Sequence, residues 1–166
     1  LKVTMSNLRK SLRQAGLSEE MKVEYRCGSY ILVFTAPVWL DIQEFSNLVD
    51  QTNESEDQRL EKLLRAESLY EGDFLPHLNE FDWVLVASSF YREKYFSCLH
   101  QLAEILEKRK EWNRLLPIAA RAASRYHLEE WQCLCIDCLI EMGQISSAWE
   151  AYRRIKSQVR KDSDSS

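Results

Sequence analysis

A mostly α-helical protein built from stacked helical hairpins is what this 166-residue sequence predicts. Glycine and proline number only 4 and 3, too few for the many turns of a sandwich or barrel. Beyond Asp41, apolar residues recur with the 3.6-residue helical period. That apolar pattern also matches itself at a shift of 33 residues near the end of the chain. Apolar and charged fractions of 45% and 29% suit a globular chain with a real core.

Residues 1–15 read as an amphipathic helix. Leu1, Met5, Leu8 and Leu12 form its apolar stripe, and Lys2, Ser6, Asn7, Lys10 and Arg13 occupy the other side. Gly16 stands where a left-handed cap closes a helix. Residues 21–34, MKVEYRCGSYILVF, are strand formers interrupted by Cys27-Gly28-Ser29, which predicts a β-hairpin. Asp41 and Glu44 have the spacing of a capping box, ahead of a helix that buries Phe45, Leu48 and Val49. The acidic stretch Asp50 to Asp57 connects it to a helix carrying Leu60, Leu63 and Leu64, which ends before Gly72. A turn at Phe74-Leu75-Pro76 precedes a long helix from about Trp83 to Lys108. Shorter helices follow near 112–125, 128–142 and 145–159, and the polar tail 161–166 is expected to be disordered.

At the 33-residue shift Leu102 falls on Cys135, Ala103 on Ile136, Ile105 on Cys138 and Leu106 on Leu139. Past the turn, Leu115 falls on Ala148, Ile118 on Ala151, Ala119 on Tyr152 and Ala122 on Ile155. A period near 34 with two helices per unit is the signature of tetratricopeptide-like hairpins. One hairpin cannot bury its apolar face alone, so successive hairpins stack and share a core. Trp131, Gly143, Ala148 and Tyr152 fit that repeat's aromatic, turn-glycine and small-residue positions, while Lys110 stands where the preceding unit would carry the glycine.

Charge is divided along the chain. The net charge is −4, yet residues 1–17 contain Lys2, Arg9, Lys10 and Arg13 and no acid, leaving 18 of the 22 bases against all 26 acids. A basic end on an acidic body suggests two jobs on one chain. Five cysteines (Cys27, Cys98, Cys133, Cys135 and Cys138) make an odd set, three of them inside one apolar segment. Buried free thiols in a reducing cytoplasm fit this better than a disulfide framework. On a helix, residues two apart point about 200° from each other, so Cys133 and Cys135 cannot share an ion and no metal is expected. His77, His100 and His127 are scattered, and no glycine-rich phosphate loop, HExxH or GxSxG is present. No catalytic residue and no cofactor are expected, and an enzyme is the most distant reading. No signal peptide opens the sequence and no apolar run nears the ~18–20 residues that span a bilayer, so a cytoplasmic protein without a membrane partner is expected. Phe81, Trp83, Phe90, Tyr91, Tyr95 and Phe96 crowd the long helix. They are expected mostly in the core, with any excess marking a partner groove.

Several segments together resemble one family. Ser68-Leu69-Tyr70-Glu71-Gly72-Asp73-Phe74-Leu75, then Trp83, then Tyr91-Arg92-Glu93-Lys94-Tyr95, are similar to the bacterial transcriptional activator domain of actinomycete antibiotic regulatory proteins and related response regulators. Asp41-Ile42-Gln43-Glu44-Phe45 resembles its entry, and Leu139 to Tyr152 its last repeat. Val3-Thr4-Met5-Ser6-Asn7-Leu8-Arg9-Lys10-Ser11-Leu12 resembles the recognition helix of OmpR-type winged-helix domains, and Gly28-Ser29-Tyr30-Ile31-Leu32 resembles their wing hairpin. The order of motifs spans residues 1 to about 160. The opening strands and first two helices of a winged helix have no counterpart, so the chain is expected to begin inside a domain. Such recognition helices are rich in Arg, whereas Ser6 and Asn7 hold candidate contact positions here.

The resemblance implies three segments: 1–36 as the C-terminal part of a winged-helix DNA-binding domain, 37–160 as the tetratricopeptide-like activator domain, and 161–166 as a tail. It implies a transcription regulator that contacts promoter DNA through Lys2, Ser6, Asn7, Lys10 and Arg13 on the helix and Arg26 at the wing. Asn can read adenine edges while Lys and Arg hold phosphates. Taken without the resemblance, the same residues fit a solvated helix face. RNA polymerase or a second copy of the chain are the implied partners of the repeats. The alternative is a protein-binding helical-repeat scaffold with no DNA function, whose first helix and hairpin cap the stack.

Overall fold

In the computed structural model the described residues are 2–17, 19–51 and 55–164. Residues 1–43 and 44–166 form two compact units. In the first, α1 (Lys2–Gln14) is closed by Gly16 at φ +74°. The Leu17 N–H donates to Leu12 O at 2.9 Å and the Gly16 N–H to Arg13 O at 3.1 Å, the paired bonds of a left-handed C-terminal cap.

Strands β1 (Met21–Arg26) and β2 (Ser29–Phe34) pair antiparallel, with Met21 opposite Phe34 and Arg26 opposite Ser29. Cys27 and Gly28 fill the two-residue turn at φ +48° and +85°. Positive φ at both positions is the turn that follows the right-handed twist of the strands. Tyr25 and Tyr30 face each other across the ladder with ring centroids 5.0 Å apart. The Arg9 guanidinium ties α1 to the hairpin by donating to Val23 O, 2.9 Å from Nη2. No described residue of this unit is buried; Met5, Leu12, Val23 and Val33 are half-buried and Leu8 is exposed. Leu1, which the sequence places on the same stripe, lies outside the described residues.

The second unit begins within α2 (Asp41–Asp50); Phe45, Leu48 and Val49 of α2 are buried with Leu60 and Leu63 of α3 (Glu56–Leu69) in one core. The capping box expected of Asp41 and Glu44 does not form. Asp41 is already helical, its carboxylate accepts from the adjacent Ile42 N–H at 2.8 Å, and Glu44 pairs with Arg65 at 2.7 Å. A charged partner on the next helix competes successfully with a local backbone amide. The capping box forms instead between Ser55 and Gln58, at the start of α3. Much of the polar connector, residues 52–54, lies outside the described residues.

After a 3-10 turn at Pro76–Leu78 come α4 (Asp82–Lys108), α5 (Trp112–Tyr126), α6 (Glu129–Glu141) and α7 (Ile145–Asp164). α4–α5 and α6–α7 are the two hairpins that the 33-residue shift predicts. Leu102, Ala103, Leu106, Leu115, Ile118, Ala119 and Ala122 are buried in the first hairpin. At the shifted positions only Cys138 and Ala148 are buried, and Tyr152 is exposed. The difference follows from stacking, since the second hairpin covers the first and no described element follows α7. Helix α7 runs to Asp164, five residues past the expected end at 159, so residues 161–164 of the expected tail are helical. Residues 165–166 lie outside the described set.

The core centres on Leu63, Tyr95, Leu99, Leu102, Leu106, Leu115 and Trp131, all fully buried. Each such side chain contributes about 1.5–3 kcal/mol of transfer free energy. Only part of the α4 aromatic cluster joins them. Tyr95 is buried and Tyr91 and Phe96 pack against the core, but Phe81, Trp83 and Phe90 are exposed, contrary to the expectation of mostly core aromatics. The 27 residues of α4 rise about 40 Å, far beyond the 14 of α3 and 15 of α5, so those two helices cannot cover its full length.

Candidate nucleic-acid interface

Ser6, Asn7 and Lys10 are exposed on α1, within about 100° of one another by the 3.6-residue period. None of their side chains has a hydrogen-bond or ion-pair partner among the described residues. Arg13 lies on the flank of that face. Its Nε donates to Arg9 O at 3.4 Å, and it lines a shallow depression with Arg9, Leu12, Met21, Lys22 and Val23. Lys2 belongs to α1, but its side chain lies outside the described residues. Arg26 sits at the end of β1 and donates from Nε to Glu24 Oε2 at 2.8 Å. Residues 24 and 26 share one face of the strand by its two-residue alternation. An exposed pair of this kind is worth about 0.2–1 kcal/mol, so a competing phosphate oxygen can displace the carboxylate.

Two further cations lie beside Arg13: Arg9, which the sequence counts in the basic end but not among the candidate contacts, and Lys22, which it does not single out. Arg9 sits next to the apolar stripe on the helical wheel, and Lys22 belongs to a strand whose partner helix is set by tertiary packing. Their spacing carries no signal that joins them; the fold brings both beside Arg13. Residues 1–43 hold six bases against four acids. The arrangement offers an amide and a hydroxyl for polar edges beside ammonium and guanidinium groups for anions.

The cysteines are placed unevenly. Cys98 and Cys138 are buried and Cys135 half-buried, but Cys27 and Cys133 are exposed, which corrects the expectation of buried thiols at those two positions. Cys27 stands in a hairpin turn, and Cys133 is rotated by two residues from the packed face of α6. Burial pushes the Cys98 thiol up to about 12, with Glu67 adding to the rise. Burial and then Cys135 raise that of Cys138 to about 11. Among the described residues no group of three or more His, Cys, Asp or Glu converges as a metal site would require. No described helix is long and apolar enough to cross a membrane.

The segment 68–95 folds into one knot. Tyr70 and Tyr95 stack with centroids 4.1 Å apart and planes 10° from parallel. Asp73 accepts from the Tyr70 hydroxyl at 3.2 Å and from Arg92 Nε at 3.1 Å. Tyr126 of α5 donates to the Tyr70 hydroxyl at 3.4 Å. Burial is the main reason the Tyr70 and Tyr95 hydroxyls are held well above the usual tyrosine range. Phe74 packs on Trp83 and Tyr91. Beside it on α5, Arg125 donates to Tyr70 O and Glu71 O at 3.1 and 2.9 Å. The motif residues therefore set how α3, α4 and α5 meet.

The profile of the bacterial transcriptional activator domain matches residues 40–165. No curated protein and no solved structure matches the chain. The matched stretch contains all of α2 to α7, including both helical hairpins and the Tyr70–Tyr95 knot, and the chain belongs to the bacterial transcriptional activator domain family.

Proposed function

We propose that this chain is part of a transcription regulator in which residues 1–36 contact promoter DNA and the helical repeats form protein contacts. The observation that carries the reading is the open face of Ser6, Asn7 and Lys10, on an acid-free basic segment attached to an activator-family domain. In this reading α1 is a recognition helix. Asn7 reads a base edge, Lys10 and Arg13 hold phosphates, and Ser6 and Lys2 add polar contacts at the groove wall. Arg26 at the hairpin tip exchanges Glu24 for a phosphate or enters the minor groove.

Titration of a labelled random-sequence duplex with the full chain, across a series of salt concentrations, tests the proposal. Binding is expected to fall steeply with salt, because phosphate contacts release counterions. Lys10→Gln and Arg13→Gln should each lower the slope of log K against log salt by about 1. Wild-type binding that is absent, or a slope left unmoved by both variants, rejects DNA contact by this face and leaves a protein-binding scaffold.

A further inference from the structure

The 33-residue register marks a helix face that one hairpin covers and the other leaves open. In the first hairpin, Trp112, Leu116 and Ala119 of α5 belong to or pack on the core, and α6 lies along α5. Their counterparts on α7, Ile145, Trp149 and Tyr152, are 51%, 58% and 45% exposed. Ala148 is buried like its counterpart Leu115, so α7 packs on its own hairpin as α5 does. The open positions are those that a following helix covers in a stack. The same holds on α6. His100 of α4 meets the Trp131 ring with centroids 5.2 Å apart, and Glu107 acts on the Cys138 thiol. Their counterparts, Cys133 and Ile140, are both exposed.

This face is bulkier and more basic than the one it repeats. Where α5 carries Ala119, Ala120 and Ala123, α7 carries Tyr152, Arg153 and Lys156. Trp149 and Tyr152 meet edge to face at 5.8 Å, and Lys156 Nζ lies 5.8 Å from the Tyr152 ring centroid. By the helical period Arg153 and Lys156 lie within about 40° of Trp149, whereas Glu150 and Arg154 are about 100° and 140° away. Among the described residues no carboxylate pairs with Arg153 or Lys156. On α6 the charge is of the other sign. Exposed Asp137 lies within about 60° of both Cys133 and Ile140 on the helix.

We propose that this open face docks an amphipathic helix of a different, partner protein. Its apolar side carries small residues opposite Trp149 and Tyr152, because interhelical distance follows the side chains at the contact. Carboxylates line the edge over Arg153 and Lys156. They are confined to that edge, since the other edge meets Asp137. A second copy of this chain does not meet that description. Its exposed α4 stripe offers Trp83 and Phe90 to the α7 aromatics, and Lys94 lies over Phe90 at 5.1 Å. The proposal rests on reading the repeats as a protein-contact unit and is independent of DNA contact by residues 1–36.

Calorimetric titration of the full chain with a synthetic helical peptide of about 18 residues tests it. The peptide carries alanine and leucine on one face and glutamate along one edge. A Kd of about 100 μM or tighter is expected. Trp149→Glu, or lysine in place of the peptide's glutamates, should weaken binding about tenfold or more. Tyr152→Glu serves as the second variant should circular dichroism show Trp149→Glu unfolded. Bound peptide should slow maleimide labelling of Cys133 and leave that of Cys27 unchanged, as read by mass spectrometry. Absent binding, equal binding of the lysine peptide, or a Cys133 that stays unprotected overturns the proposal. So does a wild-type chain whose self-association in sedimentation velocity is lost with Trp149→Glu, since a second copy then holds the face. The duplex titration on the same samples separates the two readings: peptide binding absent with DNA binding intact rejects only this contact.

Discussion

Lys110 and Gly143, 33 residues apart, hold the same left-handed turn position in consecutive hairpins, at φ +58° and +73°. The hydrogen bonds around them coincide at the same shift. The Glu111 N–H donates to Leu106 O at 2.9 Å, and the Gln144 N–H to Leu139 O at 2.8 Å. The Lys110 N–H reaches Glu107 O, and the Gly143 N–H reaches Ile140 O, both at 2.9 Å. The repeat is therefore one of backbone geometry as well as apolar pattern, although one unit closes its turn with lysine.

A lysine in this conformation carries a steric penalty of about 1 kcal/mol that glycine avoids. Lys110→Gly should therefore stabilise the chain by up to about 1 kcal/mol in urea unfolding. A Cβ added at Gly143 meets nothing within 4 Å, so Gly143→Ala should cost a similar about 1 kcal/mol through backbone strain alone. A destabilising Lys110→Gly, or a neutral Gly143→Ala, contradicts the shared geometry.

Arg59 closes the end of α2 from the side of α3. Its guanidinium donates to Leu48 O at 2.9 Å, to Val49 O at 2.7 Å and to Gln51 O, with Gln101 Oε1 of α4 bound at 2.6 Å. These are carbonyls that a helix C-terminus leaves without partners. Lysine keeps the charge but cannot supply the planar fork, so Arg59→Lys should cost about 1.5–3 kcal/mol. Hydrogen exchange should speed up most in α2, and unchanged α2 protection would remove Arg59 from this role.

The buried thiols make the fold sensitive to alkali. Cys98 donates to Leu63 O at 3.5 Å and ionises only near pH 12, against an ordinary value of 9.0. Its folded value lies above its unfolded one, so the stabilisation is complete below about pH 9 and is lost as pH rises towards 12. Cys138, raised from 9.0 to about 11, adds to the loss in the same direction. Stability measured from pH 8 upwards should fall, and Cys98→Ala, less stable at neutral pH, should show a shallower fall. An equal slope in both proteins would rule Cys98 out as its source. A maleimide at neutral pH should label exposed Cys27 and Cys133 and spare Cys98 and Cys138.

Local periodicity and turn chemistry were enough to place the α1 segment, the hairpin around Cys27-Gly28, the Phe45-Leu48-Val49 face and both repeat hairpins. Each of these depends on residues within a few positions of one another, where helix and strand periods act directly. Tertiary packing decided which faces were covered and which charges found partners. Buried Glu67 of α3 pairs with exposed Arg121 of α5 at 2.7 Å, 54 residues away, and Arg59 reaches Gln101 across 42. No spacing rule joins such pairs. The candidate face on α1 was legible as a basic helix, but the approach of Arg9 and Lys22 to Arg13 arises only when β1 packs beside it. Likewise an apolar period in α4 marks Trp83 and Phe90 as well as Tyr95, and only the shorter neighbouring helices determine that Tyr95 is buried while the other two face solvent.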